Sequence, residues 1–344
     1  MQTPFSSRLS SLLAAALVAC AVPVAAFAQT AGMVSYTDVP ETSPVFPAVE
    51  YLKAKGVLTP AAAFHPSDKL TRAQAAKIII APLVRPEELA KVTATTFTDV
   101  APTAWYMPYV EAARQLKIID SVPTFNPDKP VTKAGFMKML LTAKKLDYNG
   151  AFSDFTAPLA TDTANKSDWF YPVMRYGLAA SMTAVGQDGN LSPSREITRA
   201  DMALLYYRLE MYMADRRTQA LLSQAETDIG NVLQMLDAKN IQQAEYASNR
   251  SILTARGALT SRPNEALVQG AVKVAKGFQF LVLAYKAGVS GDLDGVLKNA
   301  KDAYASADKA KSLSPGLSVV TTQMQTIAKN MADEARKAQA AAPK

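Results

Sequence analysis

Apolar residues recur at near-helical spacing in two early segments of the chain. Each segment follows a proline, which suits the first turn of a helix because its fixed φ is already helical. The polar words HPSD, NPDKP and, later, SPSRE contain residues that break helices. The recurring apolar positions are Val49, Leu52 and Val57 in the first segment and Val110, Ala113 and Leu116 in the second. The pattern therefore predicts short helices separated by turns.

A threonine follows each polar word and stands immediately before another apolar stretch. Thr71, Thr132 and Thr198 precede sequences such as RAQAAKIIIAPL and RADMALLYYRLEMYM. Threonine is a favoured N-cap because its hydroxyl accepts a hydrogen bond from a backbone N–H of the first helical turn. Each copy is therefore predicted to be a helix, a loop and a second helix.

The same landmarks return at regular spacing, which indicates an internal repeat. The first two copies have intervals of eleven, fifteen and seven residues between Asp38, Val49, Phe64 and Thr71 and between Asp99, Val110, Phe125 and Thr132. A third copy, placed at the word FSDF, has intervals of twenty, seventeen and seven residues between Asp154, Met174, Leu191 and Thr198. Three stacked copies can share one core that a single pair of helices cannot form.

The C-terminal part of the chain, beyond about residue 210, is rich in Ala, Gln, Lys and Leu, which favours helices. Turn-forming words divide it into predicted helices near 199–238, 241–260, 264–287, 292–312 and 316–339. The first of these continues the last repeat helix without a break. We expect an antiparallel helical bundle with a frayed tail over 211–344, although two segments that end in proline also weakly resemble degenerate tetratricopeptide-type hairpins.

Residues 1–28 have the pattern of a secretory signal peptide, with a long apolar run that ends in the small residues Ala26 and Ala28. The chain is therefore expected to be exported to the cell envelope or cell surface. Cys20, in the word LVAC, also resembles the lipidation site of a lipoprotein, but the apolar run continues beyond it and favours simple cleavage. No later apolar run is expected to reach the roughly 20 residues of a membrane-spanning helix.

A formal net charge of +7 suits an anionic partner, but the charge is spread thinly and no three basic residues are consecutive, so nucleic acid is not expected. No cysteine remains after signal cleavage. His65, the single histidine, is expected in a solvated turn. The chain lacks G-x-S-x-G, H-E-x-x-H and a glycine-rich phosphate loop, so we predict no enzyme, no cofactor and no metal. A glycan-processing enzyme stays an alternative because a pair of catalytic carboxylates leaves no linear signature.

The repeated words resemble the S-layer homology (SLH) repeat. They are F-x-D-V, a tryptophan near the start of the first helix, F-x-P at the turn, and T-R-A-[EQD] at the start of the second helix. The resemblance implies a mainly α fold in which three repeats, at 34–83, 95–146 and 150–210, form a pseudo-threefold spindle around a central three-helix bundle. It also implies grooves between repeats that bind cell-wall polysaccharide, often carrying ketal-linked pyruvate.

The resemblance points to charged and aromatic residues in those grooves. Arg72 and Arg199 can bind a pyruvyl carboxylate in bidentate fashion, whereas Lys133 in the second copy keeps the charge without the fork. Trp105 and Trp169 can offer an aromatic face to a sugar ring. Carboxylates can accept hydrogen bonds from sugar hydroxyls, and the candidates are Asp38, Asp99 and Asp154.

Departures from the SLH pattern rank the three grooves. The first copy has Pro44 in the place of the tryptophan but keeps the expected glycine, Gly56, whereas the second and third copies have Lys117 and Ser181 at the glycine position. Because a groove lies between repeats, one pocket can combine an arginine and a tryptophan from different copies. We therefore expect one or two working sites.

Structural explanations compete with these roles. The three aspartates can cap turns, the two tryptophans stand beside other aromatic residues and are more typical of a core, and the arginines can be held in ion pairs. The prediction is an exported envelope protein anchored to an acidic glycan. Its helical region would bind another envelope protein or a second copy of the chain. A purely structural protein-binding module is a further alternative.

Overall fold

A computed structural model describes residues 36–341, so the predicted signal peptide 1–28 and its Cys20 lie outside the described residues. Twelve α-helices occur within the described range. In the repeat region they are α1 (Phe46–Ala54), α2 (Arg72–Ile80), α3 (Pro86–Leu89), α4 (Met107–Gln115), α5 (Lys133–Ala143), α6 (Tyr171–Ala179) and α7 (Arg199–Met213). In the C-terminal region they are α8 (Thr218–Asp237), α9 (Ile241–Ser261), α10 (Ala266–Ser290), α11 (Leu293–Leu313) and α12 (Ser318–Ala341). The predicted mainly α fold is confirmed.

The second helix of each repeat begins at the threonine that the sequence predicts as its N-cap. The hydroxyl groups of Thr71, Thr132 and Thr198 each accept a hydrogen bond of 3.2 Å from the backbone N–H three residues later. In α2 and α7 the third helical residue, Gln74 or Asp201, accepts a bond from the backbone N–H of the cap in return. Two of the three starts are therefore complete capping boxes.

Three backbone hydrogen bonds close the repeats into a ring. The Leu70 N–H donates to the Ile197 carbonyl at 3.0 Å, the Ile197 N–H donates to the Val131 carbonyl at 3.1 Å, and the Val131 N–H donates to the Leu70 carbonyl at 2.8 Å. All three side chains are buried at the centre. Each repeat therefore pairs with both others, which gives the pseudo-threefold arrangement that the resemblance implies.

Helix packing follows the same cyclic order. The first helix of each repeat packs against the second helix of another repeat: α4 lies on α2, α6 on α5, and α1 on α7. We call these contacts the first, second and third junctions. They are the places where the resemblance implies binding grooves.

The predicted uninterrupted helix over 199–238 is wrong, because α7 ends at Met213 and α8 begins at Thr218. Asp215 lies between them in the left-handed conformation, with φ 55. The next N–H, of Arg216, donates to the carbonyl of Met211 at 2.8 Å and closes the end of α7. Aspartate tolerates the left-handed region better than most residues, so the chain can turn here.

The C-terminal helices form the expected antiparallel bundle. Helices α8 to α12 pack against their neighbours in chain order. Gly270, near the start of α10, faces Ala310 near the end of α11, and Gly295, near the start of α11, faces Ala287 near the end of α10. These contacts require α10 and α11 to run in opposite directions.

Helix α10 is long and apolar enough to cross a membrane by length and composition, so the expectation that no later segment reaches this limit is wrong. Half of its most apolar stretch is buried inside the protein. Val274, Phe278 and Tyr285 of this helix are buried in the core of the bundle. Its apolar character is therefore that of a central bundle helix.

The bundle is joined to the third repeat through buried polar and apolar contacts. Asp228 of α8 and Arg250 of α9 form a nearly fully buried ion pair of 2.9 Å. Arg250 also donates to the carbonyl of Leu159 at 2.8 Å, and Asn249 donates to the carbonyl of Pro158 at 2.9 Å. Apolar residues of α8, α9 and α10 belong to the same core as the repeats.

Candidate functional site

The predicted binding cations lie close to the threefold axis and reach across repeats. Arg72 Nε donates to the Phe125 carbonyl at 2.8 Å, and Arg199 Nε donates to the Phe64 carbonyl at 2.6 Å. Each guanidinium also stacks on that phenylalanine ring, 4.7 Å from its centroid for Arg72 and 4.9 Å for Arg199. These arginines are therefore oriented by a carbonyl and an aromatic face, and within residues 36–341 neither forms the ion pair considered as an alternative.

Lys133 takes the equivalent place in the second repeat. Its ammonium donates to the Leu191 carbonyl at 2.7 Å, and the residue is only 8% exposed. Burial lowers the pKa of Lys133 to about 8, and the nearby positive charge of Arg195 acts in the same direction. A buried lysine that is already bound to a carbonyl is poorly placed to receive a ligand.

The two arginines keep part of their donor capacity. Burial lowers the pKa of Arg72 and of Arg199, but a guanidinium stays charged at neutral pH. Within residues 36–341 only the Nε atom of each forms a hydrogen bond. The two Nη groups therefore stay available for a planar acceptor such as a carboxylate.

The first junction contains a cavity of about 440 Å³ that combines residues of all three repeats. Arg199 of the third repeat, Trp105 of the second, and Lys77 and Gly56 of the first line it. Lys77 Nζ lies 5.6 Å from the centroid of the Trp105 ring. This cavity thus combines an arginine and a tryptophan from different copies, as expected for one pocket.

Gly56 leaves one side of the cavity unfilled because it has no side chain. Its φ is +69, and an added Cβ would meet no atom within 4 Å. The corresponding residues Lys117 and Ser181 have similar φ values, 57 and 54, but they carry side chains where Gly56 has none. Glycine thus relieves the strain of a left-handed turn and leaves room beside Trp105.

Both tryptophans are surface residues, so the interpretation of them as core residues is wrong. Trp105 is 55% exposed and Trp169 is 58% exposed. Each ring rests edge-on against the aromatic residue that follows it in sequence, Tyr106 or Phe170, which holds it in place. An exposed, fixed indole is the geometry that stacking on a sugar ring requires.

The second junction repeats part of this pattern. Lys138 Nζ lies 5.9 Å from the centroid of the Trp169 ring, as Lys77 does from Trp105. Lys138 also forms an ion pair of 3.4 Å with Asp120. This carboxylate would repel an acidic ligand, so the second junction is less suited to one than the first.

Asp38 and Asp99 cap the loops that precede the second helices. The carboxylate of Asp38 accepts hydrogen bonds of 2.7 Å from the N–H groups of Phe64 and His65. Asp99 accepts bonds of 2.7 and 2.6 Å from Phe125 and Asn126. Partial burial acts to raise the pKa of both carboxyl groups, but the backbone hydrogen bonds outweigh it and the pKa falls below the usual value.

The assignment of Asp154 as the third counterpart is wrong, because Asp162 fills that place. Its carboxylate accepts bonds of 3.0 and 2.6 Å from the N–H groups of Leu191 and Ser192. Asp154 instead forms a bidentate pair with Arg256 of the bundle, at 2.8 and 2.9 Å. Counted from Asp162, the interval to Met174 is twelve residues instead of twenty.

The apolar partners of the loop explain why the third copy is hard to align. In the first two copies an aromatic residue two positions before the aspartate packs on the loop phenylalanine, with Tyr36 on Phe64 and Phe97 on Phe125, both at 5.6 Å. The third copy has Ala160 and Leu191 at these positions. The unrelated sequence FSDF has an aromatic residue two positions before its aspartate, as the first two copies do. The dipeptide Thr-Asp occurs at all three of these sites. It is the sequence signal that identifies the correct alignment of the third copy with the first two.

Comparison with known families agrees with this register. The S-layer homology domain matches the chain at residues 35–76, 96–136 and 161–203, so the third match begins after Asp154 and includes Asp162.

Curated relatives share the repeat region. A surface-layer 125 kDa protein of Lysinibacillus sphaericus is 31% identical over 147 residues, which is 42% of this chain and 12% of that protein. An uncharacterized cell wall amidase of Bacillus anthracis is 28% identical over 184 residues, or 53% of this chain and 33% of the amidase. An endoglucanase of Bacillus sp. (strain KSM-635) is 27% identical over 126 residues, or 36% and 12%. The chain thus spans a third or less of the length of these relatives, and it carries three tandem S-layer homology domains.

Proposed function

We propose that this chain is an exported protein of the cell envelope, held noncovalently to an acidic wall polysaccharide by its S-layer homology domains. The observation that carries the proposal is the first-junction cavity, where Arg199, Lys77 and Trp105 meet beside Gly56. The names of the relatives, a surface-layer protein and a cell wall amidase, support a location at the wall.

The chemistry of the cavity suits a sugar that carries a carboxylate, such as a pyruvyl ketal. The free Nη groups of Arg199 can bind both oxygens of a carboxylate, and the Lys77 ammonium adds a second positive charge. The Trp105 face can stack on the apolar side of the ring. Among the described residues that line the cavity there is no carboxylate to compete for the arginine.

Arg72, Trp169 and Lys138 provide a second, weaker site at the second junction, because the ion pair between Lys138 and Asp120 must break to admit an anion. Lys133 and the aspartates that cap the loops act in the fold more than in binding. The helical bundle then serves as the part that is displayed, for a partner protein or for a second copy of the chain.

A pull-down with purified wall sacculi tests this proposal on residues 29–344. We expect the wild-type chain to bind, and Arg199→Ala to weaken binding by about tenfold or more, since a charge-assisted hydrogen bond contributes about 1.5–3 kcal/mol. Trp105→Ala should weaken binding by about two- to tenfold, since an aromatic contact contributes about 0.5–1.5 kcal/mol. Arg85→Ala removes the same charge from a side chain that is 79% exposed and does not line the cavity, and serves as the matched control. Equal binding by all four proteins would overturn the proposal.

Two further arms separate the alternatives. Sacculi from which pyruvate has been removed chemically should lose most of the binding, whereas a module that binds a wall protein would bind them as before. Arg199→Lys, which keeps the charge but not the planar fork, should bind less well than the wild type. Release of reducing sugars from intact sacculi would instead favour a glycan-processing enzyme, an alternative that the name of one relative, an endoglucanase, suggests.

A further inference from the structure

The third repeat carries a smaller, partly enclosed cavity at the position where the first repeat has its groove. Ser181 corresponds to Gly56 of the first repeat. Arg208 corresponds to Ala81, because each stands ten residues after the threonine that caps the second helix of its repeat. Helix α8 of the bundle covers these residues. The space that remains is about 110 Å³ and lies between the third repeat and the bundle.

Two arginines face this cavity from opposite sides. Arg208 of α7 donates to the Met182 carbonyl at 3.2 Å, and Arg217, at the start of α8, donates to the Ser181 hydroxyl at 2.6 Å. Within residues 36–341 neither guanidinium has a carboxylate within 4.0 Å, whereas Arg195 and Arg250 nearby are both paired with aspartates. Two positive charges therefore share a small, partly desolvated space without a negative partner.

Two buried donors without a partner among the described residues are adjacent at the start of α8, where Arg217 lines the cavity and Thr218 follows it. The Nε of Arg217 and the hydroxyl of Thr218 are buried and form no hydrogen bond with any described residue. Burial lowers the pKa of Arg217, and the charge of Arg208 lowers it further, which means that each cation destabilises the other. Buried donors and like charges left in this state are costly to the folded protein unless a ligand satisfies them.

We propose that this cavity binds a small oxyanion, a phosphate or carboxylate group, between Arg208 and Arg217. The volume equals the share of about three to four water molecules in the liquid, which admits such a group and few waters beside it. Both arginines can present planar pairs of N–H donors to it, and Ser181 and Thr183 can add hydroxyl contacts.

The position of the site gives the anion a second effect. Arg208 belongs to the repeats and Arg217 belongs to the segment that opens the bundle, so a bound anion links the two parts of the molecule. The anion site shares no lining residue with the first-junction cavity. A variant in one site therefore leaves the lining of the other site unchanged.

Calorimetric titration of residues 29–344 with inorganic phosphate, and separately with acetate, tests the proposal at constant ionic strength set by chloride. We expect saturable binding of at least one of the two anions, and the preferred one identifies the ligand as phosphate or carboxylate. Arg217→Gln and Arg208→Gln should each weaken binding by about tenfold or more. Arg216→Gln removes a charge from the adjacent exposed residue and should bind within about twofold of the wild type.

Thermal melts provide a second measurement of anion binding that can be used when a variant is less stable than the wild type. The readout is the increase in melting temperature that the anion produces, compared with chloride, for each variant against its own baseline. The increase should be present in the wild type and in Arg216→Gln, reduced in Arg217→Lys, and absent in Arg217→Gln. No binding beyond chloride by the wild type, or binding by Arg217→Gln equal to that of the wild type, would overturn the proposal while leaving the sacculus result untouched.

Discussion

Gly257 lies where the bundle meets the third repeat, and its replacement by alanine tests that contact. The residue lies in α9, four residues before the end of the helix, and is packed against the end of α6. A Cβ added to it would lie 1.8 Å from the carbonyl oxygen of Ala179 and 2.7 Å from its carbonyl carbon. Because these are backbone atoms, no side-chain rotation can relieve the clash, and α9 must move away from α6.

The size of the effect follows from two opposing terms. Alanine is favoured over glycine in a helix interior by about 1 kcal/mol. Overpacking of a rigid core costs about 1–3 kcal/mol, and a collision with backbone belongs at the upper end. We therefore expect Gly257→Ala to lower the free energy of unfolding by about 2 kcal/mol.

Gly230→Ala is the matched control. Gly230 lies in the interior of α8, and an added Cβ there would meet no atom within 4 Å. This variant receives only the helix-propensity term and should raise the free energy of unfolding by about 1 kcal/mol. Gly277→Ala is intermediate, because the two nearest atoms that its Cβ would meet belong to the flexible end of Met324.

Urea unfolding followed by far-UV circular dichroism measures the three variants beside the wild type. The difference between Gly257→Ala and Gly230→Ala should be about 3 kcal/mol, with opposite signs relative to the wild type. If Gly257→Ala is as stabilising as Gly230→Ala, α9 is not seated on α6 in solution.

Two more predictions concern buried and capping charges. The pKa of Lys133 falls to about 8 on folding, whereas the unfolded chain keeps that proton to about pH 10.4. The wild type should therefore gain stability as pH rises from about 8 to about 10. In thermal melts Lys133→Met should lose that gain, while the exposed control Lys129→Met keeps it. Parallel curves of melting temperature against pH for all three proteins would contradict the burial of the charge. Asp162→Ala removes the acceptor of two backbone N–H groups and should cost about 1–3 kcal/mol in urea unfolding. Asp154→Ala breaks only an ion pair whose aspartate is 70% exposed and should cost about 0–1 kcal/mol. A larger cost for Asp154→Ala than for Asp162→Ala would support Asp154 as the third counterpart.

The sequence predicted those features that are encoded locally. The N-cap threonines Thr71, Thr132 and Thr198 begin their helices as expected, because a cap depends on residues within one turn. The proline and glycine words also separate the bundle helices within a few residues of their observed ends. The pseudo-threefold arrangement of the repeats was implied by the resemblance to the SLH repeat.

The failures of prediction involve contacts between distant residues. The true third counterpart, Asp162, is recognised by hydrogen bonds to residues 29 and 30 positions away, and the local word FSDF pointed elsewhere. The break at Asp215 is set by the need of α8 to fold back onto the third repeat. The exposure of Trp105 and Trp169 depends on which helix lies beside them, and neighbouring aromatic residues alone suggested a core.

The cover that α8 places over the third repeat also has no sequence signal. Arg208 and Arg217 look like ordinary surface arginines in a helix-rich segment. Only the fold brings them together around one cavity, with Ser181 between the repeat and the bundle. Sites of this kind require the packing of whole elements to be known.

Fluorescence of Trp105 tests the central proposal most directly, because the chain contains two tryptophans. In a Trp169→Phe variant of residues 29–344, Trp105 is the single indole, and its emission reports on the first junction. Titration with pyruvylated polysaccharide released from the wall should change this emission saturably, and the added change Arg199→Lys should weaken the response by about tenfold. An unchanged Trp105 emission at polysaccharide concentrations that saturate binding would place the glycan elsewhere and contradict the proposed role of the first junction.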